Sequence, residues 1–221
     1  MYPVAYSAAL ESEGRSRLTV FFRLLLAIPW FIVAAVWGIA VYVTVVIAWF
    51  ALLFTGRYPQ GLYDFNAGFL RFSARVNGWY SLLTDEYPPF SGEPDGGYPI
   101  RLQIAEPKPE YSRAKVLFRI ILLIPVAVIS YVLAIILEVV AIIAWFVLVF
   151  TARLPEGLYK PIRAANAYMA KAGAFYLLLT EDFPPFWTDE EDEAPAFAAA
   201  STAAPVDPPP PASDAPTGSR E

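Results

Sequence analysis

Glu138 is the residue whose surroundings in the sequence most strongly suggest chemistry. It is the one charged side chain in the apolar run from Ile120 to Phe150. A charge at the centre of a bilayer costs about 2.5–3.5 kcal/mol on insertion scales, so such a group usually has a partner or faces water. Glu138 is therefore either an intramembrane functional site for a proton, a cation or another subunit, or a residue beside a helical turn that reaches the lipid headgroups.

Two pairs of adjacent acids, Asp85–Glu86 and Glu181–Asp182, are the other candidates for acid–base chemistry. General acid–base catalysis requires carboxylates that converge on a substrate, whereas neighbouring residues at a helix end usually diverge. We therefore expect these acids to cap helices or to form ion pairs with Arg57, Arg71 or Arg75.

Residue types that catalysis commonly needs are missing from the chain. It contains no cysteine and no histidine, which excludes thiol nucleophiles and every metal site or triad that depends on these side chains. The sequence has no glycine-rich phosphate loop and no serine elbow. We therefore expect no catalytic residue, no metal and no cofactor, and we predict that the protein is not an enzyme.

Basic residues border the apolar runs. Anionic headgroups attract each Lys or Arg near the membrane surface by about 1 kcal/mol. These residues are either ordinary determinants of topology or specific contacts to anionic phospholipid. Because they are spread along membrane boundaries, we expect no nucleic-acid binding. The candidate headgroup contacts are Arg17, Arg23, Arg57, Arg71, Arg75, Arg113, Arg119 and Arg153.

The composition is that of a membrane protein with an acidic tail. Hydrophobic residues make up 57% of the chain and charged residues only 17%, against about half and a quarter in soluble domains. The net charge of −5 divides into +2 for residues 1–187 and −7 for residues 188–221. The tail is rich in Ala and Pro and has few large apolar residues, so we predict that it is disordered.

An internal duplication defines the organisation of the chain. Residues 2–90 and 98–186 align without gaps and share 34 identities in 89 positions. The conserved register includes prolines, tryptophans and arginines, which chance similarity between apolar segments would not produce. The predicted units are repeat 1 at residues 1–97, repeat 2 at residues 98–187 and the tail at residues 188–221.

Each repeat opens with a short alternating stretch, "YPVAYSA" at Tyr2 and "YPIRLQIA" at Tyr98. A period of two indicates a strand, and a proline is tolerated at its start. The two strands could pair with each other across a pseudo-twofold axis between the repeats.

A long apolar run follows each strand, from Leu24 to Phe54 and from Ile120 to Phe150. A membrane span needs about 20 residues, so each run is either one tilted helix or a hairpin of two short helices, with "WGI" at Trp37–Ile39 as the turn in repeat 1. Both flanks of both runs are basic to the same degree, and such charges collect on the cytoplasmic side. We therefore favour hairpins in two parallel repeats, related by an axis along the membrane normal.

Each repeat then continues into an amphipathic helix and a proline-containing octamer. Aromatic and apolar residues recur every three or four positions after Gly61, with arginines between them. This pattern is typical of an interfacial helix, or of a helix packed on the protein's own strands. The octamers "LTDEYPPF" and "LTEDFPPF" end the helix, because residues before proline avoid helical geometry, and their prolines direct an aromatic ring towards the body.

These segments resemble the bacterial membrane family catalogued as domain of unknown function 4389, which is common among actinobacteria. The matching marks are "FTGRYPQGLY", the arginine-containing aromatic helix and "LTDEYPPF", with "FTARLPEGLY" and "LTEDFPPF" in the second copy. The resemblance covers about residues 2–187 in two tandem copies. It implies an integral membrane protein of the bacterial envelope and implies no activity.

Together these features predict a mainly α-helical, multipass protein of the cell membrane, with its termini and repeat linkers in the cytoplasm. Its expected role is that of a non-catalytic scaffold or accessory subunit of a membrane complex. The expected partners are the bilayer, with anionic phospholipid, a membrane protein, and a basic cytoplasmic partner for the tail. The alternative is a small transporter or channel that uses Glu138 at the repeat interface.

Overall fold

The computed structural model describes residues 2–10, 14–94 and 97–186, and the predicted disordered tail lies outside them. Within these residues the protein is mainly helical. Its elements, in chain order, are β1 (Val4–Ala8), α1 (Arg17–Phe21), α2 (Arg23–Thr55), α3 (Gln60–Tyr80), β2 (Ile100–Ile104), α4 (Arg113–Leu117), α5 (Arg119–Thr151) and α6 (Glu156–Tyr176).

The two strands form one antiparallel sheet, as the alternating pattern predicted. Tyr6 lies opposite Leu102 at the centre of the register. These two residues occupy equivalent positions in the two repeats, 96 residues apart. A pseudo-twofold axis therefore passes between them and relates the repeats, which confirms the predicted pairing. Residues of both repeats contribute to one hydrophobic core.

The predicted helical hairpins are wrong, because each apolar run forms one continuous helix of 33 residues. Gly38, which was expected to mark a turn, lies inside α2, and a β-carbon there would sit 3.8 Å from the ring of Phe69. Position 38 therefore faces α3 at ordinary van der Waals distance and does not break the helix. The expectation came from the equal basic charge on both flanks of each run, which does not report whether the backbone hydrogen bonds continue through the run.

The two long helices α2 and α5 run in opposite senses. The backbone N–H of Tyr111, just before α4, donates to the carbonyl of Gly56 at the end of α2, at 2.7 Å. At the other end of the pair, the indole Nε1 of Trp145 in α5 donates to the carbonyl of Val20, just before α2, at 2.9 Å. The start of each long helix therefore lies beside the later part of the other.

The amphipathic helices α3 and α6 form an internal layer, so the prediction of interfacial helices is wrong. Helix α3 packs on α2, α6 and β2, and α6 packs on α5 and β1. Phe72 and Trp79 of α3 and Phe175 of α6 are almost fully buried. The alternative of a helix packed on the protein's own strands is the one observed, with each helix lying on the strand of the other repeat.

The octamers close each repeat as predicted. Leu82 adopts a left-handed conformation with φ of 73°, and the N–H of Leu83 donates to the carbonyl of Gly78 at 3.0 Å. This is the 6→1 hydrogen bond that ends a helix in a Schellman motif. After the prolines, Phe90 returns to the body and stacks on Trp30 with ring centroids 4.9 Å apart.

Candidate functional site

Asp85 of the first octamer is at the centre of a buried ion cluster at the start of α2. Its carboxylate accepts a hydrogen bond from Arg23 Nη2 at 2.6 Å and lies 3.5 Å from Arg15 Nη1. It also accepts from the backbone N–H of Ser16, the N-cap of α1, at 2.8 Å. Arg23 further donates to the carbonyl of Trp79. The carboxylate is therefore occupied in joining the octamer to the beginning of α1 and α2.

The second repeat holds the equivalent arginine differently. Arg119 donates to the carbonyls of Phe175 and Thr180, the latter at 2.7 Å, and its guanidinium lies 3.7 Å from the centroid of the Phe175 ring. Glu181 accepts instead from the backbone N–H of Ser112, the N-cap of α4. Here the capping function of the acid is retained, while carbonyls hold the buried arginine.

These contacts settle the role of the paired acids in part. Asp85 and Glu181 cap the starts of α1 and α4, whereas the expected cap was at the end of the octamer's own helix. Asp85 is paired with Arg23 and Arg15, so the expectation that it would meet Arg57, Arg71 or Arg75 is wrong. The true partners were not evident from the sequence because they lie more than 60 residues away along the chain.

The eight candidate headgroup contacts fall into groups of different burial. Arg23, Arg75 and Arg119 are only 3% exposed, so the prediction that they contact lipid headgroups is wrong. Arg75 donates to the carbonyls of Ser91 and Glu93 at 3.2 and 2.6 Å.

Arg71 is half-buried, and burial lowers the pKa of its guanidinium. The four remaining candidates are exposed at the ends of the long helices: Arg17, Arg57, Arg113 and Arg153.

Glu138 borders a cavity between the repeats. The cavity has a volume of about 260 Å³ and is lined by Arg23, Leu24, Tyr80, Leu82, Glu138, Ala141, Ile142 and Trp145. Burial, and then the nearby Glu138 carboxylate, raise the pKa of the Tyr80 phenol. Within residues 14–94 and 97–186, no hydrogen bond or salt bridge involves the Glu138 side chain. The carboxylate is thus exposed at the mouth of a largely apolar cavity between α5 and the start of α2.

Two groups of residues that join the repeats were not predicted as interactions. Trp49 and Trp145 donate across the pseudo-twofold to the carbonyls of Val116 and Val20, at 3.2 and 2.9 Å. Their conservation in both repeats was the available signal, although it indicated only the duplication.

A buried polar network was missed as well. Asn66 donates to the hydroxyl of Tyr58 at 2.8 Å and contacts Thr44 at 2.7 Å. Tyr58 in turn donates to the carbonyl of Leu177 in the other repeat at 3.1 Å. Burial raises the pKa of Tyr58 to about 12. Because Ile162 occupies the position of Asn66 in the second repeat, the repeat pattern gave no indication of this network.

The fold and these clusters define a class of protein: a helical protein of two tandem repeats, with two helices long and apolar enough to cross a membrane. The chain belongs to the family described as domain of unknown function (DUF4389), which matches residues 17–92 and 113–188. The resemblance noted in the sequence, in two tandem copies, is thereby confirmed. No curated protein and no solved structure matches the chain.

Proposed function

We propose that this protein is a non-catalytic scaffold or accessory subunit held at the cell membrane by α2 and α5. The observation that carries the proposal is the exposure of these two helices. Only 11% and 6% of their most apolar segments are buried in the protein. The apolar core helix of a soluble protein is mostly buried, so this surface needs lipid or another protein to cover it.

Several polar side chains are hydrogen-bonded within the protein, which supports a structural role for them. Asp85 and Glu181 cap helices, and Arg23, Arg75 and Arg119 are bound to the protein's own carboxylate or carbonyl groups. These side chains stabilise the junctions between the repeats. They do not converge on a common space in which a substrate could react.

The acidic tail is the part of the proposal that concerns a soluble partner. Residues 188–221 carry a net charge of −7 and lie outside the described residues. A segment of this composition attracts a basic surface over roughly a Debye length, about 8 Å at physiological ionic strength. We propose that it binds a basic partner, whereas the repeats bind the membrane.

The scaffold role predicts a stable partner. The full chain and a chain lacking residues 188–221 would be purified in mild detergent from membranes of cells that produce them. We expect one partner at a constant ratio with the full chain and its loss or depletion with the truncated chain. If both forms purify alone, the scaffold role is contradicted.

The cavity beside Glu138 supports a second candidate, a small transporter or channel. A carboxylate at an apolar cavity between two repeats is a feature of many ion-coupled sites. Transport further requires that α5 cross the bilayer, so that the cavity can open to both sides. The orientation of the long helices therefore decides between the two candidates.

A further inference from the structure

The protein is built in layers, and its surface changes from polar to apolar in the direction perpendicular to the long helices. The sheet contacts α3 and α6, and these helices contact α2 and α5. A β-carbon on Gly78 of α3 would collide with Ile100 of the sheet, which shows how closely the first two layers pack. The protein therefore has three layers, with the sheet on one side and the long helices on the other.

Each long helix presents one continuous apolar face away from the inner layer. On α2, the side chains of Leu25, Ile32, Ile39 and Phe50 are 62%, 59%, 70% and 49% exposed. These positions fall within one half of the helix circumference at 100° per residue. The opposite half packs against the protein. Because the pseudo-twofold axis relates α2 to α5, their exposed faces lie on the same side of the molecule.

Irregular backbone lies level with the middle of α2. Trp37, near the centre of α2, is 3.7 Å from a β-carbon built on Gly68 of α3, and Gly92 packs directly on the backbone of Gly68. The loop around Gly92 is neither helix nor strand, and Glu93 within it is exposed. If α2 crossed a bilayer, this loop would enter the hydrocarbon, where exposed irregular backbone is not tolerated.

The length of α2 and α5 also opposes a crossing. A helix of 33 residues is about 50 Å long at 1.5 Å per residue, whereas the hydrocarbon core is about 30 Å thick. Enclosing the whole helix in the hydrocarbon by tilt alone would require a tilt of more than about 50°, beyond the usual range of roughly 0–40°.

The charges at the helix ends indicate what covers the apolar faces. Arg17, Arg57, Arg113 and Arg153 are exposed at the two ends of the α2–α5 pair. At one end, Arg113 Nε lies 3.7 Å from a β-carbon built on Gly56, beside Arg57. Cations at both ends of an apolar face complement the anionic headgroups that surround an embedded in-plane helix.

We infer that α2 and α5 lie in the plane of one leaflet of an anionic phospholipid membrane, with the sheet on the water side. This inference rests on the proposed membrane attachment. This orientation places both flanks of each apolar run on one side of the bilayer. That placement agrees with their equal basic charge, because Lys and Arg collect on the cytoplasmic side. It also leaves no path across the bilayer through the Glu138 cavity.

The depth of α2 in the bilayer tests this inference. The chain has no native cysteine, so single cysteines would replace Leu25, Ile32, Ile39 and Phe50 in the full chain and carry an environment-sensitive fluorophore. The protein would be bound to phosphatidylglycerol vesicles containing lipids with a nitroxide quencher at a shallow or a deep acyl position. Glu93→Cys is the matched water-side control.

An in-plane helix gives the same ratio of shallow to deep quenching at all four sites, and no quenching at the Glu93→Cys position. A crossing helix gives the deepest position at residue 39 and shallow positions at residues 25 and 50. That result would overturn the inference and leave membrane attachment intact. Absence of quenching at every site would instead contradict both the inference and the proposed attachment.

Discussion

Asp85→Asn should destabilise the protein by about 3 kcal/mol, since removing one partner of a buried ion pair costs roughly 3–5 kcal/mol. The substitution preserves the shape of the side chain and removes its charge. Arg23, whose side chain is 3% exposed, would then keep its guanidinium buried without the carboxylate 2.6 Å away. The hydrogen bond to the N–H of Ser16 would also weaken. The free energy of unfolding by urea in mild detergent measures the loss.

Glu181→Gln is the matched control, because it alters the equivalent acid of the second repeat. Arg119 is bound by carbonyls, and Glu181 forms an ion pair at 3.8 Å with Lys108, whose side chain is 42% exposed. We therefore expect a loss of only about 1 kcal/mol, the value of a capping hydrogen bond and a weak surface pair. Equal losses for the two variants would contradict the assignment of Arg23 to Asp85.

Gly92→Ala should destabilise the protein by about 1–3 kcal/mol, the usual cost of overfilling a packed site. A β-carbon on Gly92 would collide with the backbone of Gly68, which cannot move aside as a flexible side chain would. The loop must therefore shift away from α3, and the hydrogen bonds from Arg75 to Ser91 and Glu93 would be strained. Urea unfolding measures the loss of stability.

Gly61→Ala is the control for this prediction, because a β-carbon there meets no atom within 4 Å. We expect the stability of this variant to be unchanged or slightly increased, since Ala favours helix more than Gly does. If Gly92→Ala is as stable as Gly61→Ala, the loop does not pack on α3 and no longer opposes a crossing of the bilayer by α2.

The sequence predicted those features that are local or repeated. The strands were predicted from their alternation, the helix ends from "YPPF" and "FPPF", and the pseudo-twofold pairing from the duplication. Each of these features depends on a few neighbouring residues or on the offset of 96 residues between the repeats. The return of Phe90 to the body belongs to the same group, because the prolines restrict the direction of the chain.

The features that were wrong or missed depend on contacts between distant residues. Arg23 looked like a topology determinant beside an apolar run, but Asp85 and the carbonyl of Trp79, 62 and 56 residues away, bury it. Arg75 looked exposed on the polar side of α3 because the loop that covers it begins only after the octamer. Gly38 looked like a turn, although α2 continues through it and packs on α3. Helix periodicity alone contains none of this information.

The most direct test of the central claim, that α2 and α5 attach the protein to a membrane, is flotation with lipid vesicles. The purified chain would be diluted from mild detergent into phosphatidylglycerol or phosphatidylcholine vesicles and centrifuged through a density gradient. The protein should float with both, because its exposed apolar faces require lipid, and more completely with phosphatidylglycerol at low salt, because of Arg17, Arg57, Arg113 and Arg153. A folded protein that stays at the bottom of the gradient with both lipids would contradict the claim.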